Sequence, residues 1–265
     1  MDKDTLLELK NWFNAYVAGF RCDNVEDQKN IDLKIAHTHR VCREILALGQ
    51  SQALNQTRLN LAEGLALFHD IGRFEQYQRY KTYCDDYSED HAQLGIRILR
   101  EKGILEKLEP EIRQLIVCVI ANHNRAAIAQ ETTAECRFFT ELLRDADKLD
   151  IWKVVTDYYR DIQQQPNAVI ELDLPNTPGI SEKVYSDLLS SRIVMKGHVK
   201  NLNDFKLLQI GWLFDVNFPK TFQLIKARHY LNEIFKALPP LAQISKIANH
   251  VFAYLDTKCP SSISI

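Results

Sequence analysis

The stretch that decides the fold is LALFHDIGRF, residues 65–74. Together with the apolar residues before it, this stretch predicts a buried helix that stops at Gly72. A histidine and an aspartate, His69 and Asp70, stand side by side at the end of that helix. Burial of an imidazole next to a carboxylate is costly unless a salt bridge, a hydrogen-bond network or a metal ion compensates the pair.

The rest of the chain has a helical pattern on both sides of this stretch. Apolar residues recur at spacings of three and four in most segments, and neither an alternating strand pattern nor a hairpin signal is found. The sequence therefore predicts an all-α protein. The predicted helical segments are 4–20, 25–50, 59–72, 88–103, 109–123, 134–160, 181–196, 202–216, 219–237 and 240–257. Ser88 is the expected N-cap of the fourth segment.

Proline, asparagine and glycine collect in residues 163–180, which predicts a long loop. We therefore expect a metal-binding helical domain over residues 1–162, this loop, and C-terminal helices over residues 181–265. The C-terminal helices are expected to pack on the same domain, since helices on both sides of the loop can share one core.

The composition is that of an ordinary globular protein, with 46% hydrophobic and 26% charged residues and a net charge of −2. This charge argues against binding of long nucleic acids. The longest apolar run, residues 115–121, is too short to span a bilayer, and the first residues do not resemble a signal peptide. We expect a cytoplasmic protein whose six scattered cysteines are reduced thiols. Nothing in the sequence indicates an oligomeric state.

Residues of the types that bind metals occur on successive predicted helices. In chain order they are His39, His69, Asp70, His91, His123 and Asp147. Packed helices can direct such side chains into one cavity, as in the metal sites of helical bundles. Imidazoles and carboxylates without a thiolate favour Mn, Fe, Co, Ni or Zn. His37 and Asp145 each lie two residues from a member of this set, so we expect them to face away from the site.

This ordered set resembles the HD-domain superfamily of metal-dependent phosphohydrolases, all-α proteins that are named for the His-Asp doublet, and HDIGRF is close to the HDIG signature of one subgroup. The resemblance covers roughly residues 30–155 and implies a helical bundle with additional C-terminal helices. By analogy with binuclear members, it implies two ions per chain. His39, His69 and Asp147 would bind one ion, His91 and His123 the other, and Asp70 would bridge them. Members with only the positions of His39, His69, Asp70 and Asp147 bind a single ion.

The segment between Asp70 and His91 contains several cations and four tyrosines, and it is either a substrate lid or a loop packed on the bundle. We predict Arg73, Lys148 and Arg125 as substrate-binding residues and Asp70 as a catalytic residue. The predicted function is hydrolysis of a small phosphorylated substrate, a nucleotide-like phosphomonoester or phosphodiester, by a metal-activated water. The alternatives are a di-iron oxygenase of the HD type and a non-catalytic interaction module stabilised by a metal. No membrane partner is expected.

Overall fold

The computed structural model describes residues 1–161 and 167–259, and all regular elements in these ranges are helices. The predicted all-α class is therefore confirmed. The α-helices are α1 (Lys3–Ala18), α2 (Val25–Ser51), α3 (Gln56–Phe68), α4 (Gly72–Tyr80), α5 (His91–Glu101), α6 (Pro110–His123), α7 (Ala134–Asp161), α8 (Ala168–Glu171), α9 (Glu182–Leu189), α10 (Leu202–Gly211), α11 (Pro219–Ala227), α12 (Tyr230–Lys236) and α13 (Ala242–Lys258). Short 3-10 helices span Asp85–Tyr87, Lys196–His198 and Trp212–Asp215.

The chain divides into two compact units, Met1–Asp150 and Ile151–Ile265. The boundary lies inside α7, whereas the sequence analysis placed it in a loop over residues 163–180. Within that stretch, residues 162–166 lie outside the described residues, and α8 occupies part of the remainder. The expected packing of residues 181–265 on the first domain stays a prediction.

In the first unit, α3 is the central helix, since it contacts α1, α2 and α6. Most of its side chains from Leu59 to Phe68 are buried, on every face of the helix. Phe13 of α1 and Phe74 of α4 belong to the same core and contact each other edge to face. The His-Asp doublet that follows this buried helix is buried too.

Two asparagines and an aspartate begin the helices that lead to the candidate site. Asn24 caps α2, and Asn55 caps α3. Asp90 caps α5 by accepting hydrogen bonds from the amides of Ala92 and Gln93. The expected cap, Ser88, instead donates its hydroxyl to the carbonyl of Cys84. The Asp90 cap makes His91 the first residue of α5.

In the second unit, α9 contacts α10 and α13, and α11 contacts α12 and α13. The helix predicted over 219–237 is divided into α11 and α12 because His229 adopts a left-handed conformation with φ of 56°. Trp152, fully buried, donates its indole N–H to the carbonyl of Gln209. Across both described ranges, every helix is too short or too polar to cross a membrane.

A disulfide joins Cys118 of α6 to Cys136 of α7, with their Cα atoms 6.3 Å apart. The expectation of six reduced thiols is therefore wrong for these two residues. The sequence carried no signal for the pair because its members are 18 positions apart, and only the approach of α6 to α7 brings them together. The other four cysteines, all among the described residues, take no part in a disulfide.

Candidate metal centre

The candidate site begins where α3 ends, in the interior of the first unit. α3 ends at Phe68, and α4 begins at Gly72, so the predicted helix through Gly72 stops earlier than expected. His69 and Asp70 lie in the turn between the two helices and are both buried. Both side chains point from this turn into the interior of the first unit.

One part of the site, the His37 half, consists of His37, His69 and Asp147. The Nε2 atoms of His37 and His69 lie 3.3 Å apart. Oδ1 of Asp147 lies 3.1 Å from Nε2 of His37 and 3.7 Å from Nε2 of His69. Two imidazole nitrogens and a carboxylate oxygen thus converge on one point, which is the donor geometry that a transition-metal ion needs.

The other part, the His91 half, consists of His91 at the start of α5 and His123 at the end of α6. Their Nε2 atoms are 3.1 Å apart. Their rings meet edge to face with centroids 5.0 Å apart. This half repeats the arrangement of the first one, with two nitrogens that face each other.

Asp70 lies between the two halves and directs one carboxylate oxygen to each. Oδ2 is 3.5 Å from Nε2 of His37 and 3.7 Å from Nε2 of His69. Oδ1 is 3.3 Å from Nε2 of His91 and 4.0 Å from Nε2 of His123. A carboxylate in this position can bind an ion on each side.

All four histidines have their Nδ1 atoms engaged by an oxygen on the far side of the ring. His69 and His123 donate to carbonyls of their own helices, those of Ala66 and Ile120, over 2.7 Å in both cases. These contacts place the proton on Nδ1, and Nε2 is left as a lone-pair donor toward the centre. Fixing the tautomer in this way is typical of histidines that bind metals.

Nδ1 of each of the other two histidines, His37 and His91, contacts a carboxylate, and each carboxylate also pairs with an arginine. Nδ1 of His37 lies 2.7 Å from Oδ2 of Asp150, and Arg40 donates one hydrogen bond to each carboxylate oxygen of Asp150. Nδ1 of His91 lies 2.8 Å from Oδ2 of Asp85. Asp150 thus pairs with Arg40 and holds the ring of His37.

The electrostatics of the histidines differ between the two halves. Burial lowers the pKa of both His91 and His123 to about 4, so these rings are neutral at pH 7. Burial also lowers the pKa of His69. Burial opposes charge on His37 as well, but hydrogen bonds to Asp147 and Asp150 outweigh it and raise its pKa. The carboxylates around His37 therefore favour a positive charge on its ring, whereas the rings of the His91 half are neutral.

The carboxylates are ionised in spite of their burial. Burial works against the ionised form of Asp70, yet Lys34 and His69 hold its pKa well below the usual value. The pKa of Asp147 is lowered mainly by its hydrogen bond from His37, again against the effect of burial. Ionised carboxylates and neutral imidazoles are the forms in which these groups bind metals.

Two features show that the residues present fit divalent metal ions. Nε2 atoms that both carry lone pairs face each other in the His91 half at 3.1 Å, an approach that a cation between them would stabilise. Oδ1 of Asp147 is buried and lies 3.1 Å from Nε2 of His37, so a donor oxygen and a donor nitrogen face the same point. Nitrogen and oxygen donors without a thiolate match the metals predicted from the sequence.

The prediction that His39 belongs to this cluster is wrong, and His37, expected to face away, takes that place. The ring of His39 contacts Phe13 of α1 edge to face, with centroids 5.8 Å apart. Residues two apart on a helix point roughly 200° apart, so only one of the two histidines can face the site. His37 shares the fully buried face of α2 with Val41 and Ile45, a spacing of four that was visible in the sequence.

Lys34, which lies one helical turn before His37, was not among the predicted site residues. Its Nζ is 2.7 Å from Oδ2 of Asp70, and its ammonium lies 5.3 Å from the centre of the Tyr83 ring. The signal for Lys34 was its spacing of three from His37, and it becomes visible only once His37 is placed in the site.

The three predicted substrate-binding cations lie in different surroundings. Nη1 of Arg73 donates to Asp85 over 2.8 Å and to the carbonyl of Tyr83 over 2.5 Å. Lys148 is buried. Arg125 is half exposed and pairs with Oδ2 of Asp90 over 3.1 Å. Their contact with a substrate stays a prediction.

The segment between Asp70 and His91 was predicted to be either a substrate lid or a loop packed on the bundle, and it contains both buried and exposed tyrosines. Tyr77 and Tyr83 are buried and their rings contact each other, with centroids 4.9 Å apart, so they pack this segment onto the bundle. Tyr80 and Tyr87 are exposed. A role of these two aromatic faces in substrate binding stays a prediction.

Gly72 of the HDIG sequence has a steric role next to the site. A Cβ atom at this position would lie 2.2 Å from the carbonyl oxygen of His91 and 2.7 Å from the amide nitrogen of Gly95. Any side chain here would therefore push α5 away from α4. The glycine permits the close approach that keeps His91 near Asp70.

A family model, the HD domain, matches residues 35–152, which span the whole cluster from His37 to Asp150. Comparison of the chain with curated proteins and with solved structures finds no match in either set. HD domains bind divalent metal ions and occur mostly in metal-dependent phosphohydrolases. The resemblance to HD domains predicted from the His-Asp doublet is therefore confirmed over residues 35–152.

Proposed function

We propose that this protein is a metal-dependent phosphohydrolase with two divalent transition-metal ions per chain. The observation that carries the proposal is the arrangement of the four histidines, whose Nδ1 atoms are engaged and whose Nε2 atoms face each other in two pairs. His37, His69 and Asp147 would hold one ion, and His91 and His123 the other. Asp70, with one oxygen toward each half, would bridge them.

Ions at these positions would supply a water activated for attack on phosphorus, together with positive charge for the phosphoryl oxygens. The residues of the chain prepare that chemistry. Asp150 and Asp85 fix the rings of His37 and His91, and the apolar core around α3 keeps bulk water away from the doublet. The interior therefore has a low dielectric, in which charges on the substrate interact strongly with the site.

The proposed substrate is a small phosphorylated molecule, with a nucleotide-like phosphomonoester or phosphodiester favoured. Lys34 supports this choice, since it brings a part-exposed ammonium group to within 2.7 Å of the central carboxylate. Arg73, Lys148 and Arg125 are further candidates for contact with the phosphate. An ammonium beside the reacting group favours the dianionic and monoanionic substrates of a phosphohydrolase.

The test begins with the metal content of protein purified without a chelator. The ions are then removed by a chelator and replaced in separate samples by Mn, Fe, Co, Ni or Zn. Each sample is assayed against a panel of phosphomonoesters and phosphodiesters. We expect two ions per chain, no hydrolysis after chelation, and recovery of hydrolysis with at least one of these metals.

Two outcomes would overturn the proposal. Oxygen consumption by the iron-loaded protein, without ester hydrolysis under any metal, would identify an oxygenase instead. Loss of the folded state on chelation, with no turnover by the metal-loaded protein, would identify a module in which the metal is only structural.

A further inference from the structure

Asp85 connects a histidine of the proposed centre to Arg73. Its Oδ2 lies 2.8 Å from Nδ1 of His91, and its Oδ1 accepts a hydrogen bond of 2.8 Å from Nη1 of Arg73. Arg73 also reaches back to the site, with Nε 3.4 Å from Oδ1 of Asp70. One arginine thus contacts both the central carboxylate and the carboxylate that holds His91.

Gln76 of α4 also holds Asp85 and the residues that follow it, Ser88 and Glu89. Its side chain is fully buried, and its Nε2 lies 2.8–2.9 Å from Oδ1 of Asp85, the hydroxyl of Ser88 and the carbonyl of Glu89. Its Oε1 accepts a hydrogen bond from Arg73. Because Arg73 and Gln76 are both on α4, this helix determines where Asp85 stands relative to His91.

The His37 half contains the same chain of contacts, from an arginine to a carboxylate to a histidine, but its carboxylate lies on a different kind of element. There Arg40 of α2 pairs with Asp150 of α7, and Asp150 holds His37. Asp150 lies in a long helix with its side chain 1% exposed, whereas Asp85 lies in a three-residue 3-10 helix with its side chain 27% exposed. Arg73 and Gln76 supply for Asp85 the support that α7 gives to Asp150.

We propose that Arg73 and Asp85 are positioning residues that hold His91 for the second ion and so determine whether the protein carries one ion or two. This inference rests on the proposed function. A carboxylate bound to the far nitrogen of a metal-binding histidine fixes the tautomer and orientation of the ring and makes its other nitrogen more basic. Loss of such a partner typically weakens metal affinity 10–100-fold.

The test is a calorimetric titration of the metal-free full-length protein with Co²⁺, combined with metal analysis after dialysis. In Asp85→Ala we expect the second ion to bind about 10–100-fold more weakly and the first ion to bind as in the unaltered protein. Arg73→Ala should show the same selective loss. Asp85→Asn should recover part of the affinity, because its amide oxygen can still accept from His91.

Asp86→Ala is the matched control, since it removes the same charge from the exposed neighbouring residue and should keep both ions. Circular dichroism at each metal content reports whether a variant is folded. If Asp85→Ala does not fold, Asp85→Asn carries the test, with a smaller but still selective loss of the second ion expected.

Two results would overturn the inference, namely unchanged affinities in Asp85→Ala and Arg73→Ala, or an equal loss of both ions. The unaltered protein separates this failure from that of the proposed function. If it binds two Co²⁺ ions and hydrolyses phosphate esters, the proposed function stands whatever the variants do. If it binds fewer than two, the inference fails with the binuclear assignment.

Discussion

The two halves of the centre contain the same kinds of side chain, but these are held by different secondary structure. In each half, two histidines face each other through Nε2, one held by a carbonyl of its own helix and the other by a carboxylate with an arginine behind it. In the His37 half the carboxylate belongs to α7. In the His91 half it belongs to a short 3-10 helix between α4 and α5.

Because of this difference, one half of the centre is fixed by the core, whereas the geometry of the other half can be changed by single side chains. Long helices fix the His37 half, so its geometry is part of the core and is lost only when the core is lost. The His91 half depends on the side chains of Arg73 and Gln76 and on the close approach of α5 to Gly72. Substitutions that leave the core intact can therefore still change the second half.

The largest effect is expected for Asp70→Asn, which removes the charge shared by the two halves. Both ions should be lost, since the His37 half then keeps one charged donor, Asp147, and the His91 half keeps none, and hydrolysis should fall by more than about 10³-fold. Metal analysis and initial rates check this expectation, with thermal melting as the test of folding. Full metal content with normal rates would show that Asp70 does not join the halves.

The next effect separates the two histidines of α2. His37→Ala should lose the ion of the His37 half and with it hydrolysis, because Nε2 of His37 lies 3.1 Å from Asp147. His39→Ala should keep both ions and full turnover. It should lose about 1 kcal/mol of stability, the contribution of an edge-to-face ring contact such as that with Phe13. The reverse pattern would restore the prediction made from the sequence.

A smaller and more local effect is expected for Gly72→Ala. The added methyl group would meet the backbone of His91 and Gly95, which cannot move as a flexible side chain can, so the free energy of unfolding should fall by about 1–3 kcal/mol. Compared with the unaltered protein, Gly72→Ala should bind the ion of the His91 half more weakly and the ion of the His37 half with the same affinity. Urea denaturation and Co²⁺ titration measure the two effects. Gly197→Ala is the control, because a Cβ atom there meets nothing within 4 Å.

The most gradual effect is the pH dependence of the metal-free protein. His91 and His123 have folded-state pKa values of about 4, below the ordinary value of 6.5 that they regain on unfolding. The unfolded state therefore binds more protons than the folded state between these values, and stability should decrease as the pH falls from about 6.5 to about 4. Urea denaturation at several pH values measures this slope. Replacing both residues by Gln should flatten it, and an unchanged slope would assign it to other groups.

The sequence predicted those features that depend on local pattern. The helical class, the buried stretch before His69 and the placement of His123 at a helix end follow from spacing, whereas the predicted cap, Ser88, began the helix of His91 too early. The choice between His37 and His39 did not follow from spacing to the other metal-binding residues, because both lie in one helix. It depends on which face of α2 is inside. The apolar residues four and eight positions after His37 contained the answer.

Contacts between distant or irregular segments were not predictable. The pairing of Asp85 with His91 depends on a 3-10 helix whose course is set by Gln76, and the position of Lys34 depends on the approach of α2 to the turn after α3. The roles of Arg73, Lys148 and Arg125 toward a substrate stay predictions, since spacing along the chain does not report what a long side chain contacts.

The Cys118–Cys136 bond encloses His123 in a covalent loop. When the rest of the chain unfolds, this loop keeps its ends joined, so the unfolded chain has fewer conformations available to it. In the chain-entropy model, a loop of this size stabilises the folded state by about 3 kcal/mol at 25 °C. Reduction of the bond would therefore lower the melting temperature by enlarging the ensemble that competes with the fold, even if every native contact around His123 were kept.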